Sequence, residues 1–500
     1  MFRKILIANR GEIALRVIRA CRKMEIRTVA IYSDADRSAL HVRKADEAYW
    51  VGPSPSAESY LRVDRILDVA RRSQAEAVHP GYGFLAENPA FAGACEEAGI
   101  VFIGPSSETL RLSGSKTASR RLARQVGVPT IPGTDRDLSD DEILRLAPEI
   151  GFPLVVKAAA GGGGKGMRIV REPTELSSAI RAARSEGQSS FGDPAIYLER
   201  YLTRPRHIEM QILADVAGNT LYLGERECSL QRRHQKVVEE APSPFMTPEL
   251  RRQMGEAAVA LVRGCGYQNA GTVEFLVDAD RNFYFLEINA RLQVEHPVTE
   301  VTTGIDLVKR QIHIAAGDPL SLRQGEVEQR GHAVECRIYA EDPAANFAPS
   351  PGKITLYRPP GGPGIRDDTS VYEGFEVPLF YDPLISKLIA WGADRREAVS
   401  RMRQALQEYA IAGIKTSIPF LVGVMTDPRF LRGEVDTTFI DSLLQAGPTG
   451  AARHREIAVI AAAIHAYLSE KEQRPAAPAG EVVADSPWKL AARQEGLRRR

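Results

Sequence analysis

Cysteine is scarce. The 500 residues hold five (Cys21, Cys95, Cys228, Cys265 and Cys336), scattered, odd in number and never spaced as CxxC. Disulfide frameworks and cysteine-based metal clusters are therefore poor readings, and a reducing compartment is expected. Charge of one sign is lacking too: 65 basic residues stand against 64 acidic ones, for a net charge of +1. That balance gives no general electrostatic reason for a nucleic acid or an anionic membrane as partner. The longest apolar stretch, Ile457–Leu468, contains His465 and falls short of the ~20 residues of a membrane span. Lys4–Asn9 already reads as a buried strand, so no signal or transit peptide is expected ahead of it, and the expected location is cytoplasmic. Two cofactor signatures are missing as well. The first strand leads into Asn9-Arg10-Gly11-Glu12 rather than GxGxxG, and the glycine-rich run further on has Gly166, not Ser or Thr, after Lys165, so it is no Walker loop.

What is present describes a globular chain. Hydrophobic residues make up 44% and charged residues 26%, which supports buried cores rather than disorder. The length allows roughly three domains. Residues 1–112 alternate strand and helix: strand Lys4–Asn9, amphipathic helix Glu12–Met24, strand Arg27–Tyr32, then strands Ala75–Pro80 and Ile100–Pro105. Without a dinucleotide fingerprint, this region is expected to be a Rossmann-like scaffold. Residues 113–330 mix β-hairpins with helices and hold nearly every polar constellation. Residues 331–446 carry strand-like pieces such as HAVECRIYAE and KITLYRPP and form a β-rich third region. Residues 447–500 read as a tail: a helix at His454–Glu470, a Pro/Ala-rich linker at Arg474–Pro487 and a basic end, a candidate for partner docking. The expected class is mixed α/β and α+β.

Two stretches of the middle region carry chemistry. Phe152–Lys157 reads as a strand, and AAAGGGGKGM leads from it towards a second, Arg168–Arg171. The glycines Gly161–Gly164 expose backbone N–H groups that can close over phosphates, although a surface turn has the same composition. Read as a hairpin flap over a nucleotide, the loop makes Lys116 and Lys157 candidate phosphate ligands. The second stretch is Thr272–Glu295, where GTVEFLV and FYFLEIN flank the turn residues DADRN. With an even-length loop centred on Asp280–Arg281, Glu274 sits directly opposite Glu287, and Phe283, Phe285, Glu287 and Asn289 share one face. Opposed carboxylates repel. A divalent cation removes that repulsion, and hard oxygen ligands with one amide suit Mg²⁺ shared with phosphate oxygens. An exposed polar hairpin face with lysines nearby is the other reading. If the chain stays extended beyond the hairpin, Arg291, Gln293 and Glu295 continue on the side of Glu287.

The chain resembles the biotin carboxylases over residues 1 to about 445. The resemblance rests on IANRGEIA (Ile7–Ala14), HPGYGFLAEN (His79–Asn88), KAAAGGGGKGM (Lys157–Met167), CSLQRRHQKVVEEAP (Cys228–Pro242), EFLV (Glu274–Val277), LEINARLQVEHPVTE (Leu286–Glu300) and GHAVECRIYAEDP (Gly331–Pro343), in that order. It implies an ATP-grasp domain at 113–330, in which two β-rich subdomains clasp the nucleotide, and a β-rich C-terminal biotin carboxylase domain at 331–446. It implies the reaction too: ATP, bicarbonate and biotin give carboxybiotin, ADP and phosphate, the first half-reaction of a biotin-dependent carboxylase.

By the same resemblance, Lys116, Lys157, Gly163 and Gly164 are expected at the ATP phosphates. Glu199, Leu202, His207, Gln231 and His234 are expected around the adenosine end. Glu274, Glu287 and Asn289 would hold two Mg²⁺ or Mn²⁺ ions, the two glutamates facing ATP as well. Lys236, Arg291, Gln293, Val294 (through its backbone), Glu295 and Arg337 would form the bicarbonate and biotin site. Glu295 is the expected general base for bicarbonate, and Arg337, ahead of Arg291, the expected cation for the biotin enolate. Without the resemblance, Arg337 would be read as a surface strand arginine paired to Glu335. Lys165 and Arg200 exchange basic types with relatives. Thr438–Asp441 matches poorly, leaving the role of Phe439 and Ile440 open.

Biotin is normally attached to a lysine between two methionines, and Met-Lys-Met does not occur in this sequence. The expected partners are therefore a separate biotin carboxyl carrier protein and a carboxyltransferase, with a homodimer implied by resemblance alone. The carboxyltransferase chooses the acceptor: acetyl-CoA, as in an acetyl-CoA carboxylase of fatty acid biosynthesis, another acyl-CoA, or pyruvate. Two rivals share the flap and the acidic hairpin. One is another ATP-grasp ligase, such as a carbamoyl-phosphate synthetase half; the other is a non-catalytic nucleotide-binding protein with a regulatory role. QRRHQKVVEEAP and the third region argue against the first, and the complete set of polar residues against the second.

Overall fold

Short, apolar strands separated by amphipathic helices build the first region. Strands β1 (Lys4–Ile7), β2 (Arg27–Ser33), β3 (Glu47–Gly52), β4 (Ala77–His79) and β5 (Val101–Phe102) form a parallel sheet in the order β3-β2-β1-β4-β5. Helix α1 (Gly11–Lys23) follows β1, with Glu12 in its first turn and Arg22 and Lys23 in its last, the polarity the helix dipole favours. Strands β1, β4 and β5 are shorter than the sequence pattern predicts, the pairing of β4 ending before Pro80 and that of β5 before Pro105, whereas β2 runs one residue further. The computed structural model describes residues 1–134, 138–159 and 167–445. The glycine run at 161–164, with Gly163 and Gly164, and the expected tail helix lie outside the described residues.

The middle region contains two antiparallel sheets. In the smaller, β6 (Leu154–Ala158) is flanked by β7 (Met167–Val170) and β8 (Ile196–Arg200). Leu154, Val156, Val170, Ile196 and Leu198 bury one face in a core of their own. The alternation of a strand leaves Lys157 and Glu199 on the other face. The β6–β7 pairing is the hairpin expected around the glycine run. Before this sheet, helix α2 (Lys116–Gln125) is capped by Ser115, whose side chain accepts from the Ala118 N–H.

The larger sheet has eight strands and holds the polar constellations. It contains β9 (Arg206–Ala214), β10 (Thr220–Arg232), β11 (Gln235–Ala241), β12 (Asn269–Val277), β13 (Phe283–Asn289), β14 (His332–Tyr339), β15 (Ile365–Thr369) and β16 (Leu384–Gly392). The order is β13-β12-β9-β10-β11-β14-β16-β15. Strands of the third region thus continue the sheet of the middle region without a break, through the β11–β14 pairing. HAVECRIYAE supplies β14, whereas KITLYRPP forms only the short pieces Gly352–Lys353 and Leu356–Arg358. Phe439 and Ile440 are buried in the apolar core of the third region, so they are packing residues. All five cysteines are free thiols. Among the described residues no helix is long and apolar enough to cross a membrane.

Candidate active site

The acidic hairpin forms by a different route from the one its sequence predicts. The loop between β12 and β13 has an odd length, because Val277 pairs with Phe283. A β-bulge at Leu286 then shifts the register by one residue, which restores Glu274 opposite Glu287 and Thr272 opposite Asn289. The bulge also corrects the expected face. Phe283 and Phe285 point with Phe275 into the apolar core, while Glu287 and Asn289 stay on the polar side. A contact from outside the hairpin accompanies the bulge: the Phe285 N–H donates to the Pro129 carbonyl at 2.8 Å.

From this edge, charge runs across the sheet. Glu274 on β12 lies opposite Glu209 on β9, which in turn lies opposite Arg226 on β10. Arg226, fully buried, binds Glu209, and also Gln211 at 2.7 Å, Thr299 at 2.9 Å and Thr272 at 3.0 Å. Lys236 from β11 sits among three carboxylates, donating to Glu209 at 2.5 Å, Glu295 at 2.6 Å and Glu274 at 2.8 Å. Burial opposes its charge, but these three carboxylates outweigh that and hold its pKa well above the lysine range. Arg337 on β14 reaches Glu239 at 2.6 Å and Glu295 at 2.9 Å. It is buried and does not pair with Glu335, the partner that position alone would give it. Glu335 lies opposite Glu239, both its oxygens buried without a hydrogen-bond partner, and burial pushes its pKa well above the carboxylate range. The guanidinium is held by Glu239 and Glu295 instead.

Glu295 is therefore held from two sides. Burial alone would favour its protonated form, yet Lys236 and Arg337 keep its pKa well below the ordinary range. The chain does not stay extended from Asn289 to Glu295. It leaves the strand, turns, and enters helix α3 (His296–Thr303) with Glu295 at the N-cap position. Arg291, Gln293 and Glu295 reach the same cleft through this turn. Arg291 donates to Gln293 Oε1 at 2.7 Å, Gln293 donates to Glu274 at 3.1 Å, and Glu87 of the first region accepts from Arg291 and from the Ala290 N–H, each at 3.0 Å. Val294 presents its carbonyl to Lys387 at 2.9 Å.

The expected metal ligands suit a hard cation. Glu274 is already bound to Lys236 and stands 2.9 Å from His207, and these two neighbours overcome burial to hold its pKa well down. Among the described residues no side chain hydrogen-bonds to Glu287, whose pKa is raised by burial and by Glu274. Asn289 sits beside it, with a buried Nδ2 that has no partner among the described residues. Two carboxylates and an amide, one carboxylate without a hydrogen-bond partner among the described residues, match the donor set of Mg²⁺ or Mn²⁺.

The smaller sheet carries a separate cluster. Glu199 binds Lys157 and Arg120 together, and Arg120 also donates to the Ile131 carbonyl at 2.8 Å. Burial would raise the Glu199 pKa, but the two cations lower it. Lys116, at the first turn of α2, has its pKa lowered by burial, with Glu287 the main opposing charge. Leu202 lies in the link from β8 to β9, between the two sheets. Gln231 donates to His207 Nδ1 at 2.8 Å. His234 stands apart, exposed at the Arg233–His234 turn of the β10–β11 hairpin, with φ of 65°. The sequence reading missed Glu209, Arg226, Glu239 and Glu87. Glu209 and Arg226 lie in a stretch with no motif, and Glu239 and Glu87 lie inside quoted motifs but reach the site only through sheet pairing and a turn.

Comparison with known proteins places this geometry. The family model described as Biotin carboxylase, N-terminal domain matches residues 1–110, and Biotin carboxylase C-terminal domain matches 335–442. Carbamoyl-phosphate synthase L chain, ATP binding domain, matches 115–323. A pyruvate carboxylase subunit of Methanothermobacter thermautotrophicus is 58% identical over 88% of this chain and 90% of that protein. Biotin carboxylase of Nostoc sp. is 52% identical over 88% of this chain and 99% of that one. Among solved structures, the biotin carboxylase domain dimer of Hydrogenobacter thermophilus 2-oxoglutarate carboxylase, in complex with MgADP, ADP and bicarbonate, is 49% identical with a TM-score of 0.86, covering 88% of this chain and 98% of that one. Identity at this level over 88% of the chain does not favour the carbamoyl-phosphate and non-catalytic alternatives: the chain belongs to the biotin carboxylase family of ATP-dependent ligases.

Proposed function

We propose that the chain carboxylates biotin presented by a separate carrier protein, using ATP and bicarbonate, and that Lys236, Arg291, Gln293, Val294, Glu295 and Arg337 form the site where this happens. One observation carries the assignment: the Glu295 carboxylate is gripped by Lys236 on one side and Arg337 on the other, next to the opposed Glu274 and Glu287.

Bicarbonate is a weak nucleophile and must be activated by phosphorylation. Two anions then have to meet, and Lys116, Lys157, Lys236 and Arg291 supply the positive charge. Glu274, Glu287 and Asn289 would hold the magnesium or manganese, which would supply charge to screen the phosphate oxygens. In the resting site Lys236 and Arg337 keep Glu295 ionised. Bicarbonate and the ureido oxygen of biotin compete for those two donors, so Glu295 loses them on substrate binding and becomes a stronger base. It takes the bicarbonate proton as the oxygen attacks the γ-phosphorus, giving carboxyphosphate and ADP. Carboxyphosphate breaks down to CO₂ and phosphate, phosphate takes the ureido N–H proton, and the nitrogen of the resulting enolate forms its bond to CO₂. Arg337 holds the enolate oxygen, because a guanidinium stays charged throughout.

The Methanothermobacter relative is named as one subunit of its enzyme, which supports a chain that works beside a carrier and a carboxyltransferase, and the Hydrogenobacter dimer supports a homodimer. Acetyl-CoA, another acyl-CoA and pyruvate are acceptors for that partner to choose, and the cytoplasm is the compartment in which such an assembly would work. The test is ATP hydrolysis by the purified chain with bicarbonate, with and without free biotin. Hydrolysis that requires bicarbonate and rises with biotin is expected; hydrolysis indifferent to both overturns the proposal.

A further inference from the structure

Lys387 is a fully buried lysine on β16, with none of its surface exposed. Burying an ammonium is costly unless it is partnered, so its partners indicate what it is for. Its Nζ donates to the Val294 carbonyl at 2.9 Å, lies 3.2 Å from Glu12 Oε1 on α1, and stands 5.7 Å from the centre of the Tyr82 ring. Asp368, its register partner on β15, is already engaged by Arg366 at 2.6 Å. Three regions of the chain thus converge on one cation: the first through Glu12, the middle through Val294 and the third through Lys387 itself.

The register explains why this contact matters to the site. Lys387 pairs directly with Arg337 across β14 and β16, so the two side chains leave the sheet together on the same face. Arg337 takes the Glu295 carboxylate, and Lys387 takes the carbonyl of the preceding residue. The two residues of one rung therefore hold a single peptide, one by the Glu295 side chain and one by the Val294 carbonyl. The turn from Asn289 into α3 has no strand or helix bonds to fix it there. The Gln293 carbonyl is taken by His296, through its N–H at 3.3 Å and its Nδ1 at 2.8 Å, which leaves Val294 to Lys387.

We propose that Lys387 is a positioning residue for the bicarbonate site: its ammonium fixes the Val294–Glu295 peptide, and so the backbone and carboxylate that meet the anion. This rests on the assignment of Val294 and Glu295 to that site. The competing role for Lys387 is to neutralise buried Glu12. Burial raises the Glu12 carboxyl to about 7 even with Lys387 pulling it down, so Glu12 is a part-time counter-ion near neutral pH and the Val294 carbonyl is the constant partner.

Three variants separate the roles by steady-state ATP hydrolysis with bicarbonate varied. Lys387→Met is expected to raise the KM for bicarbonate at least about tenfold and to lower kcat, with the KM for MgATP within about twofold of the parent. Glu12→Gln alone should keep the parent KM for bicarbonate. Glu12→Gln with Lys387→Met removes the carboxylate that the single change strands; it should regain thermal stability while keeping the bicarbonate defect. A double variant with the parent KM for bicarbonate overturns the proposal, since Lys387 then serves Glu12 only. A double variant that fails to fold overturns it too, by making Lys387 a residue of the fold alone. Glu295→Gln is the reference. If it leaves bicarbonate-dependent turnover intact, the site assignment falls; if it abolishes turnover while Lys387→Met behaves as the parent, only the role of Lys387 falls.

Discussion

The two sheets of the middle region both bury charge, in opposite patterns. In the three-stranded sheet, Lys157 and Arg120 share Glu199, an island of two cations around one anion. In the eight-stranded sheet, Glu287, Glu274, Glu209, Lys236, Glu295, Arg337 and Glu239 form a row in which most groups touch the next. The island has a surplus positive charge on the face of its sheet, which suits a phosphate that arrives and leaves. The row is fixed by mutual contacts and ends at Glu287, to which no side chain hydrogen-bonds among the described residues. Its groups are in place before substrates bind, the arrangement that electrostatic catalysis requires.

That contrast can be broken at its most sensitive point. Glu287→Gln removes the charge at the end of the row; turnover with MgATP should fall by about a thousandfold or more, while circular dichroism stays that of the parent. Near-normal turnover in this variant would rule out the metal site. Next in size is Arg337→Ala. A charged contact made to the enolate is worth about 2–4 kcal/mol, so biotin carboxylation should drop by tens to hundreds of fold, and bicarbonate-dependent ATP cleavage far less. Equal loss of both activities would move Arg337 into phosphoryl transfer.

The island should respond more mildly. Lys157→Gln leaves Glu199 with Arg120, so the fold should hold. The KM for MgATP should rise roughly tenfold and that for bicarbonate stay within about twofold. A bicarbonate KM that rises in parallel would show that the two sheets do not divide the work. The smallest effect on turnover is expected on the other face of β11. There Glu240 is bound by His332 at 2.7 Å and by Arg395 at 2.7 Å, and these partners overcome burial to bring its pKa from 4.5 to about 2. A carboxyl with a lowered folded-state pKa contributes stability above its unfolded value of 4.5, and that contribution, about 3 kcal/mol, is lost as pH falls towards 2. Glu240→Gln should flatten this part of the acid-unfolding curve, measured by urea titration from pH 6 to pH 2, and change turnover at pH 7 less than about twofold. An unchanged curve would show that the His332–Arg395 contact does not stabilise the sheet.

The hairpin shows how far local pattern reaches. Alternation and turn residues predict two antiparallel strands between Thr272 and Asn289, and both are there. The Glu274–Glu287 pairing follows from an even loop in the sequence, whereas the folded chain reaches it with an odd loop and a bulge. The same bulge sends Phe283 and Phe285 to the core and Glu287 to the cleft, which strict alternation does not allow. Its position goes with Phe285, which packs in the core and donates to Pro129, a residue far away along the chain.

Family membership, the strand–helix alternation of the first region and the residue types of the site were decided by sequence alone, because turn chemistry, side-chain period and motif order are local properties. The partners of the site residues were decided by tertiary structure. Arg337 meets Glu295 rather than its near neighbour Glu335, because β11 brings Glu239 across from Glu335 and the turn before α3 brings Glu295 within reach. Glu209 and Arg226 become site residues because β9 and β10 pair beside β12. Lys387 reaches Val294 because β16 pairs with β14 in the register that aligns it with Arg337. Each of these contacts joins residues from separate elements, and a buried charge takes whichever partner the sheet register sets beside it, a choice that no short stretch of sequence encodes.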